Sequence, residues 1–294
     1  MSEGPLVSVI IPVFNAQAYI GDTLRSAIGQ TYRRLEILVA DDGSSDGTRA
    51  QVSAVGGTGI CWIDAPSRGG RPSVPRNRGL AAAQGEFVAF LDADDLWTPR
   101  KLEDQVRAMI EHPDLVLVYS VLRAFGDGVG FGDSGYGLRP WPLRAAIDAD
   151  VIEMGNTIPC SSVLVRRSVV AELGGFDEDP HLNAVEDFDL WLRVSRRGPI
   201  GFIPRIHGFY RVHATGISRD VAVQRERARY LVRKRGLERF TFREFRERSA
   251  VLRMARSAVD VAATAGLIAS EWVDRRLDRG VPLRRALQEA PSTA

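Results

Sequence analysis

The chain is poor in several residue types that would mark common classes of protein. Its 294 residues include two cysteines and four histidines, and its net charge is +2. Two cysteines build no disulfide framework and form no zinc site without suitably spaced histidines, so Cys61 and Cys160 are predicted to be small buried apolar residues. The near-neutral charge gives no signal for polyanion binding, and no nucleic-acid-binding motif is found, so no nucleic-acid partner is expected.

Long apolar runs are also missing. No segment approaches the roughly 20 apolar residues that a membrane-spanning helix requires. Residues 1–5 are short and acidic, and they have neither the basic segment nor the apolar core of a signal peptide. The expected location is therefore cytoplasmic, and peripheral contact with the inner face of the membrane is left open.

Short apolar segments alternate with helical patterns in the first third of the chain. A helix is expected at 99–110, with Thr98 as its N-cap and proline at its first position. Strands that alternate with helices predict an α/β fold with a mostly parallel, Rossmann-like central sheet, which binds its ligand at the carboxyl ends of the strands. Near-continuous apolar runs, typical of strands covered on both faces, occur at 7–12, 35–40, 60–64 and 87–91.

The middle of the chain is less regular. The segment 125–137 is rich in glycine but lacks the lysine and hydroxyl residue of a phosphate-binding loop. It is interpreted as a mobile surface loop, with a lid over the acceptor as the alternative. Further strands are expected at 115–120, 162–165 and 209–212, and a further helix at 186–197.

Arginine-rich helical patterns replace the sheet pattern after residue 218. They predict two parts of the chain: a catalytic domain at 1–218 and a C-terminal helical extension at 219–294. An apolar stripe within 251–262 would pack on the main domain or on a partner subunit, so a homodimer is plausible. The alternative is an interfacial membrane helix, because several arginines could face anionic lipid. The helical patterns lie at 219–235, 242–269 and 283–290.

Three carboxylates within four residues follow the apolar run at 87–91. They are Asp92, Asp94 and Asp95. Because an ionised carboxylate is costly to bury without a partner, these acids are expected at the exit of the strand, gathered around a divalent cation. Oxygen ligands of this kind suit Mn²⁺ or Mg²⁺, which also hold substrate phosphates. A phosphorylated substrate handled through a metal is therefore predicted.

Polar residues also follow the first two predicted strands, at the edge where an α/β sheet binds its ligand. An aspartate there can accept a hydrogen bond from a base N–H or from a sugar hydroxyl, and an aromatic ring can stack on the base. The alternative for the aspartates is ordinary turn chemistry, because each precedes an Asp-Gly or Ser-Asp-Gly turn sequence. The candidates are Pro12, Phe14 and Asn15 after the first strand, and Asp41 and Asp42 after the second.

Other charged residues have a functional and a structural interpretation. Arg76 or Arg78 could reach a diphosphate, or could be solvated residues of a helix. Glu186 and Asp187 could complement a helix dipole, or one of them could deprotonate an incoming hydroxyl. His213 is a structural histidine if it stands alone, and a candidate metal ligand or phosphate donor if it lies beside acids.

Five segments occur in one order over about the first 215 residues. They are VSVIIPVFN at 7–15, ADDGSSDGT at 40–48, PRNRGLAAAQGEFVAFLDADD at 75–95, GGFDE at 174–178 and EDFDLW at 186–191. Each segment is a weak signal by itself, but the ordered set resembles the family 2 glycosyltransferases. The resemblance implies the GT-A fold, and it does not cover the C-terminal helical extension.

The resemblance also implies roles for the acids at the strand exits. Asp42, with Asp41 beside it, would hold the base of a nucleotide. Asp92 and Asp94 match the family's Asp-x-Asp motif. Asp94 would bind Mn²⁺ or Mg²⁺, Asp92 would contact the ribose or the metal, and Asp95 would support them.

The remaining roles concern the second half of the site. Asp187 matches the position of the family's catalytic base, with Glu186 as the second candidate. His213 occupies the place where some members have a further contact to the metal or the diphosphate. Pro12, Phe14, Asn15 and Arg76 complete the expected nucleotide site.

The activity implied by the resemblance is inverting transfer of one sugar from a nucleotide diphosphate donor, with UDP favoured. The acceptor would be a hydroxyl of a glycan, a lipid-linked sugar or a small molecule. The Gln-x-x-Arg-Trp motif of processive synthases is absent, which favours a single transfer per encounter. Two alternatives remain open: a nucleotidyltransferase, and a nucleotide-sugar-binding module without catalysis.

Overall fold

The computed structural model describes residues 4–56, 59–127, 135–136, 158–213 and 221–236. The first third alternates strands and helices, as the sequence predicts. Short apolar segments form the strands, and the amphipathic segments between them form the helices. These elements are β1 (Val7–Val13), α1 (Ile20–Ile28), β2 (Leu35–Asp41), α2 (Thr48–Val55), β3 (Ile60–Ile63), α3 (Ser73–Ala82) and β4 (Phe87–Phe90).

The second part of the described chain adds strands of both directions. Two short 3₁₀ turns, Cys160–Ser162 and Pro180–Leu182, precede a strand and a helix respectively. The elements are β5 (Leu96–Trp97), α4 (Lys101–Glu111), β6 (Leu117–Gly126), β7 (Gly135–Tyr136), β8 (Val163–Arg166), α5 (Arg167–Glu172), α6 (Glu186–Ser195), β9 (Ile200–Val212) and α7 (Val221–Lys234).

The nine strands found among the described residues belong to one sheet in the order β3-β2-β1-β4-β8-β6-β9-β5, and β7 pairs with β6. The strands β3, β2, β1 and β4 are parallel, so they end at the same edge of the sheet. Beyond β4 the sheet is mixed, because β8 runs antiparallel to both of its neighbours. The α/β fold is confirmed, and the parallel arrangement holds for the first half of the sheet.

Helices cover both faces of the parallel half. Val9 and Ile11 of β1 belong to one buried cluster and Ile10 to another, as expected when alternate residues face opposite sides. The contact between α3 and β1 is close: a Cβ at Gly79 would lie 2.5 Å from Ile10 Cγ2. This glycine lets α3 lie directly on the sheet, which places its arginines beside the strand ends.

Pro12 lies inside β1, although proline removes a hydrogen-bond donor from a central strand. The ladder between β1 and β4 covers only Val7–Ile10, so Pro12 lies beyond the end of β4. On that side the missing N–H has no strand to pair with. The proline therefore marks the point where β1 leaves the two-sided sheet and enters the ligand-binding edge.

Several predicted boundaries are wrong. The fourth helix begins at Lys101 rather than 99, and Arg100 rather than Thr98 precedes it. The N–H of Thr98 instead donates to His207 O (2.9 Å), which prolongs the pairing of β5 with β9. Cys160 is buried as predicted, but Cys61 is exposed.

The two long strands were predicted too short. β6 continues through Gly126 into the glycine-rich segment, and Gly135–Tyr136 pairs with it as β7. The loop interpretation of 125–137 is therefore wrong at both ends, and residues 128–134 lie outside the described residues. β9 begins at Ile200 rather than 209 and has a register shift that accommodates Pro204.

The C-terminal part is described only through α7. This helix packs on the preceding domain, and Leu231 is fully buried in the core. The helices predicted at 242–269 and 283–290, and the apolar stripe within the first of them, lie outside the described residues. Within the described ranges no helix is long and apolar enough to span a bilayer. The domain boundary at 218 and the cytoplasmic location stay predictions.

Candidate active site

The acidic exit of β4 forms a tight turn in which the three aspartates have different surroundings. Asp95 is fully buried, whereas the side chains of Asp92 and Asp94 are each 30% exposed. Asp95 N–H donates to Asp92 O (3.1 Å), which closes the turn. The arrangement sends one carboxylate into the protein and leaves two at the edge of the sheet.

Asp95 anchors this turn to two other elements. Its Oδ2 accepts a hydrogen bond from Ser161 Oγ (2.6 Å) and its Oδ1 accepts one from Arg211 N (2.9 Å). Ser161 Oγ in turn accepts from Asp92 N (3.0 Å). Burial, followed by the charges of Asp94 and Asp92, raises the pKa of Asp95 well above its usual range. Its expected supporting role agrees with these contacts.

Asp94 lies against His213, the residue that follows β9. Asp94 Oδ2 is 2.7 Å from His213 Nε2, and the imidazole ring packs on Tyr19 with 5.0 Å between centroids. Burial and the neighbouring charge of Asp92 raise the pKa of Asp94, while the contact with His213 opposes that rise. The predicted proximity of His213 to the acid cluster is therefore found, which removes the interpretation of an isolated histidine.

Arg76 connects the acidic exit of β4 to helix α6. Its Nη2 donates to Asp92 Oδ1 (2.6 Å) and its Nη1 donates to Glu186 Oε1 (2.6 Å). The side chains of Arg76 and Glu186 are only 4% and 5% exposed. The alternative that Arg76 is a solvated helix residue is wrong. Burial alone would lower its pKa, but Cys160, Asp92 and Glu186 outweigh burial and raise it well above the usual range.

The two acids that begin α6 differ in environment. Glu186 is buried and its Oε2 has no hydrogen-bond partner among the described residues. Asp187 is partly exposed, and its Oδ1 accepts the N–H of Phe188 (2.7 Å). Both carboxylates lie close enough to Cys160 to raise its thiol pKa, although burial is the larger cause. Asp92 also raises the pKa of this thiol, whereas Arg76 lowers it, so acids of the β4 exit and of α6 both act on Cys160.

The aspartates after β2 are engaged by the backbone. Asp41 accepts hydrogen bonds from Gly43 N (3.0 Å) and Ser44 N (3.1 Å), which is the turn chemistry given as its alternative. Asp42 accepts from Gly69 N (2.7 Å) and Gly70 N (2.8 Å). Asp42 therefore fixes the loop before α3, in which Gly70 needs its φ of 72°. Whether either acid also contacts a base stays a prediction.

The loops after β1 and β2 hold each other. Asn15 adopts a left-handed φ of 48°, its N–H donates to Ser44 Oγ (3.0 Å), and its Oδ1 accepts from Ser45 N (2.9 Å). Phe14 is 39% exposed, and the Arg68 guanidinium lies 4.0 Å from its ring centroid. The sheet edge thus presents an aromatic ring on a loop with a fixed shape, as a base-binding surface requires.

The metal ligands predicted from the sequence are Asp94, His213 and Asp92. No group of three or more histidine, cysteine, aspartate or glutamate side chains in the described ranges has the arrangement of a complete metal site. Mg²⁺ and Mn²⁺ in nucleotide enzymes are held by one or two protein carboxylates together with substrate phosphates. The repulsion between Asp92 and Asp94 that raises the pKa of Asp94 would be relieved by a cation. The residues present therefore fit such an ion.

Sequence reasoning missed several residues that shape this site. Arg211 of β9 donates from Nε to Asp94 O (2.8 Å), and its guanidinium lies 4.9 Å from the Tyr19 ring centroid. Ser161 links Asp92 to Asp95, and Arg68 covers Phe14. The long-range pairings of β8 and β9 bring the first two residues to the acids. No local sequence pattern signals such pairings.

The fold and the cluster of acids at its edge define an α/β enzyme of the GT-A type. Residues 8–174 match the sequence profile of Glycosyl transferase family 2. This match covers more than half of the chain, and we conclude that the chain belongs to this family of enzymes that transfer sugars. The family assignment and the expected GT-A fold are thereby confirmed.

A curated relative supports the assignment. The chain is 30% identical over 214 residues to the UDP-Glc:alpha-D-GlcNAc-diphosphoundecaprenol beta-1,3-glucosyltransferase WfaP of Escherichia coli. The match covers 72% of this chain and 80% of that protein. It therefore extends over most of the relative rather than over one shared motif.

Two solved structures have the same fold. S. aureus TarS 1-349 in complex with UDP-GlcNAc matches with a TM-score of 0.60 and 21% identity, over 72% of this chain and 60% of that chain. The mannosyltransferase PcManGT from Pyrobaculum calidifontis, in complex with GDP-Man and Mn²⁺, matches with a TM-score of 0.58 and 20% identity. This second match covers 98% of this chain and 86% of that chain.

Proposed function

We propose that the chain is an inverting, metal-assisted glycosyltransferase that moves one sugar from a nucleotide diphosphate donor to an acceptor hydroxyl. The observation that carries the proposal is the double ion pair of Arg76. This single guanidinium joins Asp92 of the β4 exit to Glu186 of the α6 turn. This link supports the proposal, because it ties the turn proposed to face the diphosphate to the helical turn proposed to carry the base.

The donor would lie along the carboxyl edge of the parallel strands. The loops after β1 and β2, which are hydrogen-bonded to each other, would hold the base. Phe14 would supply the apolar surface for the base, and Asp42 would fix the neighbouring loop before α3. UDP is the favoured nucleotide, because WfaP is a UDP-Glc-dependent glucosyltransferase by name and the TarS 1-349 structure is a complex with UDP-GlcNAc. The GDP-Man bound by PcManGT keeps guanosine as the competing choice.

Asp94, Asp92 and His213 would hold Mn²⁺ or Mg²⁺ beside the diphosphate. A bound cation of this kind supplies Lewis-acid stabilisation of the negative charge that develops on the departing nucleoside diphosphate. Asp95 and Arg211 keep the turn that carries Asp94 in place, through hydrogen bonds to neighbouring backbone and side-chain groups. The manganese in the PcManGT complex supports this assignment.

Asp187 would act as the base. It begins α6, where the positive end of the helix dipole favours the ionised carboxylate that a proton acceptor needs. The acceptor hydroxyl would lose its proton to Asp187 while its oxygen attacks the anomeric carbon in line with the leaving diphosphate. A single in-line displacement inverts the anomeric configuration. Glu186, which is buried and paired with Arg76, would orient the turn and stand as the second candidate base.

The acceptor is proposed by analogy of class. The name of WfaP specifies a sugar linked to undecaprenyl diphosphate, so a lipid-linked glycan is the favoured acceptor here. A soluble glycan and a small molecule are the other acceptors in the proposal. Peripheral contact with the inner face of a membrane and a homodimer would suit a lipid-linked acceptor, and both stay predictions.

A donor panel tests the proposal. UDP-, GDP- and TDP-sugars are incubated with the protein and Mn²⁺, with and without a lipid-linked GlcNAc acceptor, and nucleoside diphosphate release is measured. We expect turnover with at least one donor, its loss in Asp94→Ala and its retention in the exposed control Asp114→Ala. No metal-dependent turnover with any donor, or full activity of Asp94→Ala, would contradict the proposal.

A further inference from the structure

One face of α7 is bonded to the segment that precedes and begins α6. Its members recur three or four residues apart, as residues on one side of a helix do. The opposite side includes exposed residues, among them Arg229 and Arg233. The bonded face consists of Arg227, Tyr230, Leu231 and Lys234, and Arg235, the residue directly after α7, continues it.

Three aspartates of the segment receive these contacts. Lys234 Nζ lies 2.8 Å from both Asp177 Oδ2 and Asp179 Oδ2. Asp179 also accepts a hydrogen bond from the Tyr230 hydroxyl (2.8 Å). Lys234 and Tyr230 therefore share one network of ion pairs and hydrogen bonds with the two aspartates at the start of the segment. The segment that carries these aspartates continues directly into the turn before α6.

Arg235 spans the two ends of the segment. Its Nε donates to Asp189 Oδ1 (2.6 Å), and its Nη2 donates to Asp177 Oδ2 (2.8 Å). Asp189 is fully buried in the first turn of α6, three residues after Glu186. Its second oxygen accepts a hydrogen bond from Arg193 Nε (2.9 Å). Arg235 is thus a cross-link between the acidic helical turn and the loop that leads to it.

The backbone between these ends is strained. Ala184 has a φ of 69°, a left-handed conformation that costs a residue with a Cβ free energy and persists only where its surroundings fix it. Arg227 donates to the neighbouring Asn183 O (2.6 Å) from α7. Leu231 fills the core beside this turn. The contacts of α7 therefore lie on both sides of a conformation that needs external support.

We propose that Arg235 is a positioning residue for the acidic first turn of α6. In this proposal α7 and Arg235 hold Glu186 and Asp187 in the orientation that catalysis needs, from outside the cluster of acids at the sheet edge. The inference rests on the proposed function, in which Asp187 is the base. α7 follows β9 in the chain and supplies none of the acids described at the β4 exit and at the start of α6. Its effect on the reaction would pass through Asp189 and the strained turn.

The test compares Arg235→Gln with Arg233→Gln, which changes an exposed arginine in the last turn of α7. Asp189 keeps Arg193 as a partner in Arg235→Gln, so the variant is expected to fold. We expect kcat to fall about tenfold to a hundredfold, as small misplacements of catalytic groups do, with the donor KM within about twofold. Arg235→Lys should restore part of the loss, and Arg233→Gln should match the wild type.

Two further measurements separate positioning from simple destabilisation. Calorimetry with UDP gives the number of binding-competent sites, to which kcat is normalised. Hydrogen exchange of the amides at 183–190 should be faster in Arg235→Gln, while exchange at 35–41 should be unchanged. Unchanged kcat per site, or unchanged exchange at 183–190, would overturn the proposal. If the wild type transfers sugar from no donor, the proposed function fails, and the exchange result alone then decides whether Arg235 holds the turn.

Discussion

Arg76 and Glu186 form an ion pair with 2.6 Å between Nη1 and Oε1, although 110 residues separate them in the sequence. The pair is buried, and its guanidinium has a second carboxylate partner in Asp92. A buried charge that loses its partner is far more costly than one that loses a partner at the surface. Loss of this pair is therefore expected to lower both the free energy of unfolding and the rate of transfer, and the two effects can be measured separately.

Arg76→Met is expected to destabilise the protein by about 3 to 5 kcal/mol, because it leaves Glu186 buried without a counter-charge. Urea unfolding measures this loss. The control is Arg25→Met, whose exposed pair with Asp22 should be worth less than about 1 kcal/mol. In the double variant Arg76→Met, Glu186→Gln, much of the loss should be recovered. Equal losses in the two arginine variants would contradict the prediction.

Asp187→Asn is expected to lower kcat by a factor of about 10² to 10⁴, the usual contribution of a positioned general base. Calorimetric donor binding should stay close to that of the wild type, because Asp187 would act on the acceptor. Transfer rates under saturating donor measure the effect. A larger kcat loss in Glu186→Gln than in Asp187→Asn would assign the base to Glu186 instead.

Metal removal should abolish transfer. Treatment with EDTA should reduce turnover to background, and Mn²⁺ or Mg²⁺ should restore it, because the developing charge on the diphosphate needs a cation. His213→Ala should raise the metal concentration that gives half-maximal rate, and the exposed control His181→Ala should leave that concentration unchanged. Full turnover in EDTA would show that the reaction needs no metal.

Asp42→Asn tests the loop before α3. An asparagine amide can replace only one of the two acceptors that meet Gly69 and Gly70, so the loop should loosen. We expect the donor KM to rise about tenfold, which corresponds to about 1.4 kcal/mol, with kcat changed less. Steady-state kinetics with the active donor measures both constants. A fall in kcat without a change in KM would place Asp42 in the chemical step.

Acid should weaken the fold through Asp104 of α4. Burial opposes its ionisation, but His207, Arg205 and Arg100 outweigh burial and lower its pKa from 3.8 to about 2. Arg107 adds a further contact at 2.7 Å. The resulting stabilisation is complete above the unfolded pKa. It is lost as the pH falls from 3.8 through the folded pKa, because the unfolded chain binds the proton first.

Urea unfolding of wild type and Asp104→Asn between pH 5 and pH 2 measures this effect. The stability difference between the two proteins should shrink by about 2 kcal/mol over that range, which is the free-energy equivalent of the pKa shift. A difference that stays constant with pH would show that Asp104 titrates normally in the folded protein.

The first half of the fold could be read from the sequence because its signals are local. The runs that became β1, β2, β3 and β4 are apolar segments bounded by turn residues, and the acids follow them directly. The start of α4 could not be predicted, because the N–H of Thr98 donates to His207 O on β9, which is far away in the chain. The last four residues of β9 were predicted at 209–212, but the part at 200–208 was missed because it contains Pro204 and two glycines. A register shift against β6 accommodates this proline in the strand.

The residues of the site were predicted from the sequence, but the contacts between them were not. The sequence indicated Asp94, His213 and Arg76, and the structure brings them to one edge of the sheet. That Arg76 would be buried between Asp92 and Glu186 depends on the antiparallel insertion of β8, which no local pattern signals. The engagement of Asp42 by two glycine amides likewise depends on the path of a loop.

Neighbouring strands of the sheet are paired over very different lengths. β4 and β8 share two residue pairs, Phe87 with Arg166 and Val88 with Val165, whereas β1 and β2 are paired over seven residues. Few main-chain hydrogen bonds thus join the parallel half of the sheet to the mixed half. A recombined gene that joins these halves from two relatives would have little backbone pairing to rebuild.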